Sequence, residues 1–244
     1  MLRVERQPAF VLHARAWRET SLLLEMFTRD HGRIGVVARG VRGARSRLPR
    51  ALLQPLMPLS VAWSGSGELV TLNGVDATGP AVAVHGEALL CALYVNEIVM
   101  RLLPRHDPHA AVFEDYGIAL ARLAGGESAS WTLRRFERDL LAQLGYGLVL
   151  DAEAETGAPL DPGRDYAYLF ESGPAPWRGA HDGLKLRGAA LLALGEDRQP
   201  SATDLAALRR LLRALIARQL DGGELQAWNL FRDGPAFSRA EPLR

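Results

Sequence analysis

The sequence predicts an α+β protein in which a small β-barrel is followed by a mostly α-helical domain. Two observations lead to this fold class. Up to residue 79, short apolar runs alternate with turn residues, whereas from Pro80 onward the apolar residues recur with a period near 3.6. Hydrophobic residues make up 48% of the 244 residues, which is ordinary for a globular protein and ample for a core. We therefore expect two domains, at residues 1–79 and 80–244.

Five short strands are expected in the first domain, and they are separated by turns at regular spacing. One hairpin turns at Asp30-His31-Gly32 and a second turns at the Ser-Gly repeat of residues 64–67. This pattern favours a closed five-stranded barrel of the OB type, with an SH3-like barrel as the alternative. The expected strands are Ala9–Leu12, Thr20–Thr28, Arg33–Ala38, Pro58–Trp63 and Glu68–Val75.

Helices are expected over most of the second domain. Ser130 and Ser201 are suitable N-caps for the third and fifth of them, because a serine side chain can accept a hydrogen bond from the first turn of a helix. Residues 151–182 are rich in glycine, proline and acids, and they predict an irregular acidic loop or a small hairpin. The expected helices are Val82–Leu103, Pro108–Leu123, Trp131–Leu144, Leu186–Leu194 and Ala202–Leu220.

The strongest local signal is a basic loop that follows the third strand. Between Arg29 and Arg50 the chain carries seven arginines and one acid, Asp30, with glycines among them. Guanidinium groups pair with phosphates in a bidentate manner, so the loop suits a polyanion. The alternative is a solvated loop in an arginine-rich protein. Most aromatic residues of this domain (Phe10, Trp17, Phe27 and Trp63) are expected in the core, with one or two available to stack on bases.

Catalytic and metal sites are not expected. No phosphate-binding glycine loop, dinucleotide fingerprint or nucleophile elbow occurs in the sequence. Cys91 is the only cysteine, which excludes an intrachain disulfide and a thiolate zinc cluster. His106 and His109 have no matching ligand pair. The acids at 151, 153 and 155, and the arginine groups at 134–138 and 209–218, are typical of solvated, salt-bridged surfaces.

Several separated motifs resemble the RecO family of bacterial recombination mediators, in the order found in that family. The motifs are residues 9–48, LQPLMPL at 53–59, GELVTL at 67–72, YVNEIVMRLL at 94–103 and LRRFERDLLAQLGYG at 133–147. The resemblance implies an OB-fold domain and a helical domain. It also implies binding of single- and double-stranded DNA and annealing of complementary strands. The implied partners are RecR and the acidic C-terminal tail of the single-stranded DNA-binding protein, with RecA loaded at gaps as the indirect outcome.

The same resemblance suggests two sites. DNA contacts are expected from the arginines in and next to the basic loop, which are Arg33, Arg39, Arg42, Arg45, Arg47 and Arg50. The partner tail is expected to bind a cation pair beside an apolar groove, formed by Leu133, Arg134, Arg135, Phe136 and Leu141. Many family members carry a four-cysteine zinc module after the LGYG motif, but here the sequence continues DAEAETG without cysteine. A zinc-free member is therefore expected.

Together these observations lead us to expect a non-enzymatic DNA-binding protein without cofactors. Its expected location is the cytoplasm, at the nucleoid and away from membranes. Two alternatives remain open at the level of sequence. One is an RNA-binding OB-fold module, and the other is a non-catalytic scaffold whose barrel docks other proteins.

Overall fold

A computed structural model describes residues 3–43, 46, 48–179, 183–220 and 223–233, with backbone alone for residues 230–233. The chain forms two compact units. The first extends to Gly125 and takes up the chain again from Glu224, while the second comprises Gly126–Gly223. The first unit contains the barrel and three helices, so its bounds do not follow the predicted division at residue 79. That division stays a prediction.

Five strands of the first unit close into a barrel. Its order is β1-β2-β3-β5-β4, and β4 pairs back with β1. Only β3 and β5 pair in parallel, and the other neighbouring strands are antiparallel. This is the five-stranded closed barrel that the sequence predicted. The strands are β1 at Arg3–Trp17, β2 at Ser21–Thr28, β3 at Gly32–Ala38, β4 at Pro58–Ser64 and β5 at Leu69–Ala77.

Alternating side chains fill the barrel interior. In β4, Leu59, Val61 and Trp63 point inward and are at most 2% exposed, whereas the residues between them are partly exposed. Strand β1 is much longer than the predicted Ala9–Leu12. Its register shifts between Val11 and His13 against β2, which lets a single long strand bend and pair with both β2 and β4. The polar residues at both ends of β1 concealed this length in the sequence.

Helices α1 (Gly86–Leu102) and α2 (Ala110–Ala124) belong to the same unit as the barrel. Phe10 and Phe27, on the outer face of β1 and β2, pack against Phe113 and Tyr116 of α2 with ring centroids 4.9–6.0 Å apart. The buried Asn96 side chain of α1 donates to the Leu12 carbonyl at 3.0 Å. It also accepts a hydrogen bond from the Tyr116 hydroxyl at 2.7 Å. Aromatic packing and these two buried hydrogen bonds together connect both helices to β1.

The chain returns to the first unit with a short helix, α6, at Gln226–Asp233. The Glu97 carboxylate of α1 accepts hydrogen bonds from the backbone N–H groups of Gln226 and Ala227, at 2.7 and 2.9 Å. A carboxylate at this position satisfies free N–H groups of the first turn and complements the helix dipole. Glu97 therefore fixes the start of α6 against α1.

The second unit combines three helices with a small sheet. Helix α3 is Ala129–Gln143, α4 is Gly188–Gly195 and α5 is Ala202–Gln219. Strands β6 (Asp165–Leu169), β7 (Gly173–Pro176) and β8 (Leu184–Arg187) form an antiparallel sheet in the order β7-β6-β8. Residues 151–182 were expected to form an irregular acidic loop or a small hairpin, and part of this segment is a hairpin of β6 and β7, completed by the third strand, β8. The sequence GPAP of β7 lacks the β-branched residues that are typical of strands, so it did not indicate one.

Two predicted helix caps have different outcomes. Ser201 accepts a hydrogen bond from the backbone N–H of Asp204 at 3.2 Å, so the predicted cap of α5 is confirmed. The cap of α3 is Ser128, which accepts from the Trp131 N–H at 3.4 Å. The prediction of Ser130 was wrong because α3 begins two residues earlier than its apolar pattern indicated.

Candidate nucleic-acid interface

The basic loop begins directly after β3 and is tied to the turn between β1 and β2. The backbone N–H of Arg42 donates to the Thr20 carbonyl at 2.8 Å. The Arg42 guanidinium also reaches the Arg18 carbonyl at 3.4 Å. Gly40 adopts a φ of 68°, a left-handed conformation that turns the chain out of β3. The start of the loop therefore lies next to Arg18, in the turn between β1 and β2.

Three of the predicted DNA-binding arginines are exposed at the barrel surface. Arg39 follows β3, Arg42 lies in the turn after it, and Arg50 begins a short 3-10 turn at Arg50–Leu52. Within the described part of the chain, no carboxylate forms an ion pair with any of them. Their positive charge is thus available to a ligand. Arg45 and Arg47, which belong to the same prediction, lie outside the described residues.

Arg33 is placed differently from the other predicted DNA contacts. Its guanidinium donates to the Glu25 carboxylate at 2.9 Å and to the Leu103 carbonyl at 2.8 Å. The side chain is only 14% exposed. Burial lowers the pKa of the Arg33 guanidinium from its ordinary value, and the neighbouring Glu25 carboxylate opposes that shift. Two of the five Arg33 N–H donors are therefore used inside the protein, and the expectation that Arg33 contacts phosphate stays a prediction.

The partners of Arg33 belong to a larger contact between β3 and the segment after α1. Arg105 also binds Glu25, at 2.6 and 3.1 Å, and the His106 N–H donates to the Arg33 carbonyl at 2.9 Å. A Cβ atom at Gly32, where φ is 64°, would lie 2.1 Å from the Asp107 carbonyl oxygen. Only glycine fits such an approach. Arg33 therefore helps to hold the segment after α1 against β3.

The aromatic residues of the barrel are mostly in the core, as expected. Trp63 fills the barrel interior, while Phe10 and Phe27 pack against α2. Trp17 is partly exposed at the end of β1, and the Arg15 guanidinium lies 5.8 Å from its ring centroid. Arg15 was not among the predicted DNA contacts, because the basic loop is the stronger local signal in the sequence. The available signal is the short motif Arg15-Ala16-Trp17-Arg18, in which two arginines lie within two residues of a tryptophan.

The predicted site for the partner tail lies on α3 in the second unit. Its apolar members Leu133, Phe136 and Leu141 are at most 5% exposed and belong to the core. Arg134 is 4% exposed and its Nη2 atom lies 2.5 Å from a Glu137 carboxylate oxygen. These residues therefore do not present an open apolar groove with a surface cation at Arg134, because the same side chains build the interior.

The second cation of that prediction, Arg135, lies closer to the surface. Its guanidinium pairs with Glu127 at 3.2 Å and with Asp197 at 2.6 Å. Its side chain is 13% exposed, and its guanidinium lies 5.9 Å from the Trp131 ring centroid. Arg138, 19% exposed, shares the Asp197 carboxylate at 3.5 Å. An acidic ligand at this surface would compete with carboxylates already in place.

The described residues show neither a metal-binding cluster nor a membrane-spanning helix. Among the residues that the structure describes, no group of three or more histidine, cysteine, aspartate or glutamate side chains is arranged to hold a metal ion. His109 bonds the Asp107 carboxylate at 3.1 Å, and this pair belongs to no larger ligand group in the described ranges. No helix in the described ranges combines the length and apolar character needed to cross a bilayer.

The fold and the site together define an OB-type barrel protein with a basic surface beside the turn between β1 and β2. Family models described as recombination protein O N terminal and C terminal match residues 1–81 and 85–228. The chain belongs to the RecO family of DNA repair proteins. The resemblance seen in the sequence motifs is thereby confirmed.

Individual relatives agree with the family models over nearly the whole chain. The DNA repair protein RecO of Nitrosococcus oceani is 45% identical over 234 residues, covering 95% of this chain and 94% of the relative. That of Methylococcus capsulatus is 46% identical over 230 residues, with 94% of each chain covered. The Xanthomonas campestris protein of the same name is 43% identical, with 94% of this chain and 97% of the relative covered.

Proposed function

We propose that this protein binds single- and double-stranded DNA without catalysing a reaction on it, and that it anneals complementary strands. The observation that supports this most strongly is the group of exposed arginines on the barrel, Arg39, Arg42 and Arg50, which lack carboxylate partners in the described part of the chain. Arginines of this kind contact phosphates regardless of base sequence. Such contacts leave the base edges free, which annealing requires.

The proposal includes partners and a place of action. RecR and the acidic tail of the single-stranded DNA-binding protein are the proposed partners, and loading of RecA at gaps is the proposed outcome. Membership of the RecO family supports these assignments. The protein would act in the cytoplasm at the nucleoid, where its DNA is found.

For the partner tail we propose a modified site on the surface of α3. Arg135 and Arg138 are the cations nearest the surface there. The tail's carboxylates would replace Glu127 and Asp197 at Arg135 and Asp197 at Arg138. The closer partner of Arg138, Asp139 at 2.7 Å, would stay in place. Arg134 is assigned to the interior instead, since its guanidinium is buried against Glu137. The tail site therefore requires exchange of ion pairs rather than binding to free arginines.

The DNA proposal is tested by fluorescence anisotropy with a labelled single strand over a salt series. Changing Arg39, Arg42 and Arg50 together to glutamate should weaken binding strongly. It should also reduce the slope of log affinity against log salt by about 2, since each lost phosphate contact on a single strand accounts for about 0.7. The matched control reverses three exposed arginines outside the barrel, Arg164, Arg198 and Arg218, which each contact a carboxylate.

Each outcome distinguishes the proposal from its alternatives. Equal losses in the two triple variants would mean that overall charge, and not the barrel surface, governs binding. Displacement of DNA by RNA at much lower concentration would favour the RNA-binding module, because the 2′-hydroxyl is the feature that separates the two ligands. Absence of binding to any nucleic acid at low salt would favour the protein-docking scaffold.

A further inference from the structure

A cavity of about 340 Å³ opens at one end of the barrel, between the turn of β1 and β2 and the segment that follows the basic loop. Its floor includes Ala14, Leu22 and Leu53, which belong to or pack against the barrel core. We call this cavity the mouth pocket. Pockets at the mouths of β-barrels are common ligand sites, and this volume is at the small end of their usual range.

Three arginines surround the mouth pocket. Arg42 and Arg50 belong to the basic loop, whereas Arg15 comes from β1 on the other side. Arg42 is held in place through the Thr20 and Arg18 carbonyls, and Arg15 lies over the Trp17 ring. None of the described residues that line the cavity is acidic. A concave site surrounded by charge of one sign concentrates counter-charge within it.

An apolar floor beneath a cationic rim matches the chemistry of one nucleotide. The base has an apolar face that can pack against the partly exposed Ala14 and Pro55, above the buried Leu22 and Leu53, while its phosphates remain at the rim with the arginines. Inorganic phosphate would use the rim but not the floor, and a long duplex would use the rim without entering. A base in a duplex must first unstack and unpair, which costs a few kcal/mol.

We propose that the mouth pocket binds one unstacked nucleotide of single-stranded DNA, with its base on the apolar floor and its phosphates on Arg15, Arg42 and Arg50. This inference rests on the proposed DNA binding and adds to it a way to distinguish strands. Rim arginines hold the backbone of either DNA form, but only a single strand places a base in the pocket without first breaking a pair. Arg15 is thereby assigned to the site, although it lies outside the basic loop.

The test uses the full chain and single strands of about twelve nucleotides, within the usual site size of one barrel. One adenine at successive positions is replaced by 2-aminopurine, whose fluorescence rises when the base unstacks. Wild-type protein should raise the emission at one or two positions of the bound strand. Ala16→Phe, at an exposed alanine that lines the cavity, should abolish this rise and weaken single-strand binding at least about tenfold, because it removes both the base contact and the phosphate contact with Arg15. Duplex binding, which does not use the pocket, should stay within about threefold of wild type.

Two further variants keep the test independent of folding defects. Ala206→Phe is the matched control, since Ala206 is an exposed alanine on α5 away from the cavity lining, and it should behave like wild type. Arg15→Gln should weaken single-strand binding about tenfold, as expected for a lost hydrogen bond from a charged group. Its effect on duplex binding should be clearly smaller. A duplex does not place a base in the mouth pocket, so it does not bring a phosphate as close to Arg15.

The outcomes separate this inference from the proposed function. A 2-aminopurine rise that persists unchanged in Ala16→Phe overturns the mouth pocket as the site, as does an equal effect of Arg15→Gln on single and double strands. Wild-type protein that binds DNA without any 2-aminopurine response also overturns it, yet leaves DNA binding intact. Absence of DNA binding by wild type overturns the proposed function itself.

Discussion

Arg33 and Arg42 look equivalent in the sequence, yet the structure predicts opposite consequences when either is changed to glutamine. Arg33→Gln removes an ion pair to Glu25 at 2.9 Å and a hydrogen bond to the Leu103 carbonyl at 2.8 Å, both in a mostly buried setting. Hydrogen bonds from charged groups contribute about 1.5–3 kcal/mol each. Glu25 keeps its contacts with Arg105, so it is not left without a partner. Loss of the two contacts should therefore lower the free energy of unfolding by about 3–5 kcal/mol.

Urea unfolding, followed by circular dichroism and tryptophan fluorescence, measures this loss. The free energy of unfolding typically falls by about 2–3 kcal/mol per molar of urea, so the unfolding midpoint of Arg33→Gln should fall by about 1–2.5 M. Arg42→Gln is the matched control. Arg42 is exposed and has no ion pair among the described residues, so its stability should stay within about 0.5 kcal/mol of wild type.

DNA binding should show the reverse pattern under conditions where both variants are folded. Arg42→Gln should reduce the slope of log affinity against log salt for single-strand binding by about 0.7, which is the contribution of one phosphate contact. Arg33→Gln should leave that slope unchanged, because its guanidinium does not face solvent. Normal stability of Arg33→Gln combined with a reduced salt slope would refute this reasoning and support Arg33 as a DNA contact.

Three further predictions concern stability. Tyr116→Phe removes the 2.7 Å hydrogen bond to the buried Asn96 side chain. Thermal unfolding should show a free energy of unfolding lower by about 1–2 kcal/mol. An unchanged melting temperature would contradict a stabilising role of this bond. Ser201→Ala removes the cap of α5 and should cost about 1 kcal/mol in urea unfolding, whereas Ser172→Ala, at an exposed serine outside the helices, should cost little. Burial raises the pKa of Tyr168 to about 12, so the folded state holds this proton more tightly than the unfolded state does. Stability from this group is complete below about pH 10 and is lost as the pH rises toward 12, and Tyr168→Phe should flatten that part of the stability curve.

The barrel could be predicted from the sequence because its signals are local. Alternation in β4 and the turn residues between β2 and β3 are visible within a few residues of chain. The sheet of the second unit was harder to predict, since β7 consists of glycine, proline and alanine. Its burial depends on pairing with β6, which no short stretch of sequence reveals.

The candidate sites show the same limit. Arg33 and Arg42 carry the same side chain in the same basic stretch, but the partner carbonyl of Arg33 lies 70 residues away, at Leu103. Arg134 offered one local clue, because Glu137 follows at a spacing that pairs side chains on a helix. That spacing does not distinguish a surface pair from a buried one. Composition therefore located the basic regions, whereas tertiary contacts determined which arginines remain available.

The hydrogen bonds between Glu97 and the start of α6 have a consequence for the order in which the protein folds during synthesis. The chain leaves the first unit after α2, builds the whole second unit, and only then supplies the helix that Glu97 receives. During synthesis the ribosome must therefore add about 100 residues before the first unit gains its last helix. Until that moment, the surface of α1 around Tyr94 and Glu97 lacks the α6 contacts that it has in the finished protein. The barrel can form early, but the unit that contains it is completed only after the whole second unit has been synthesised.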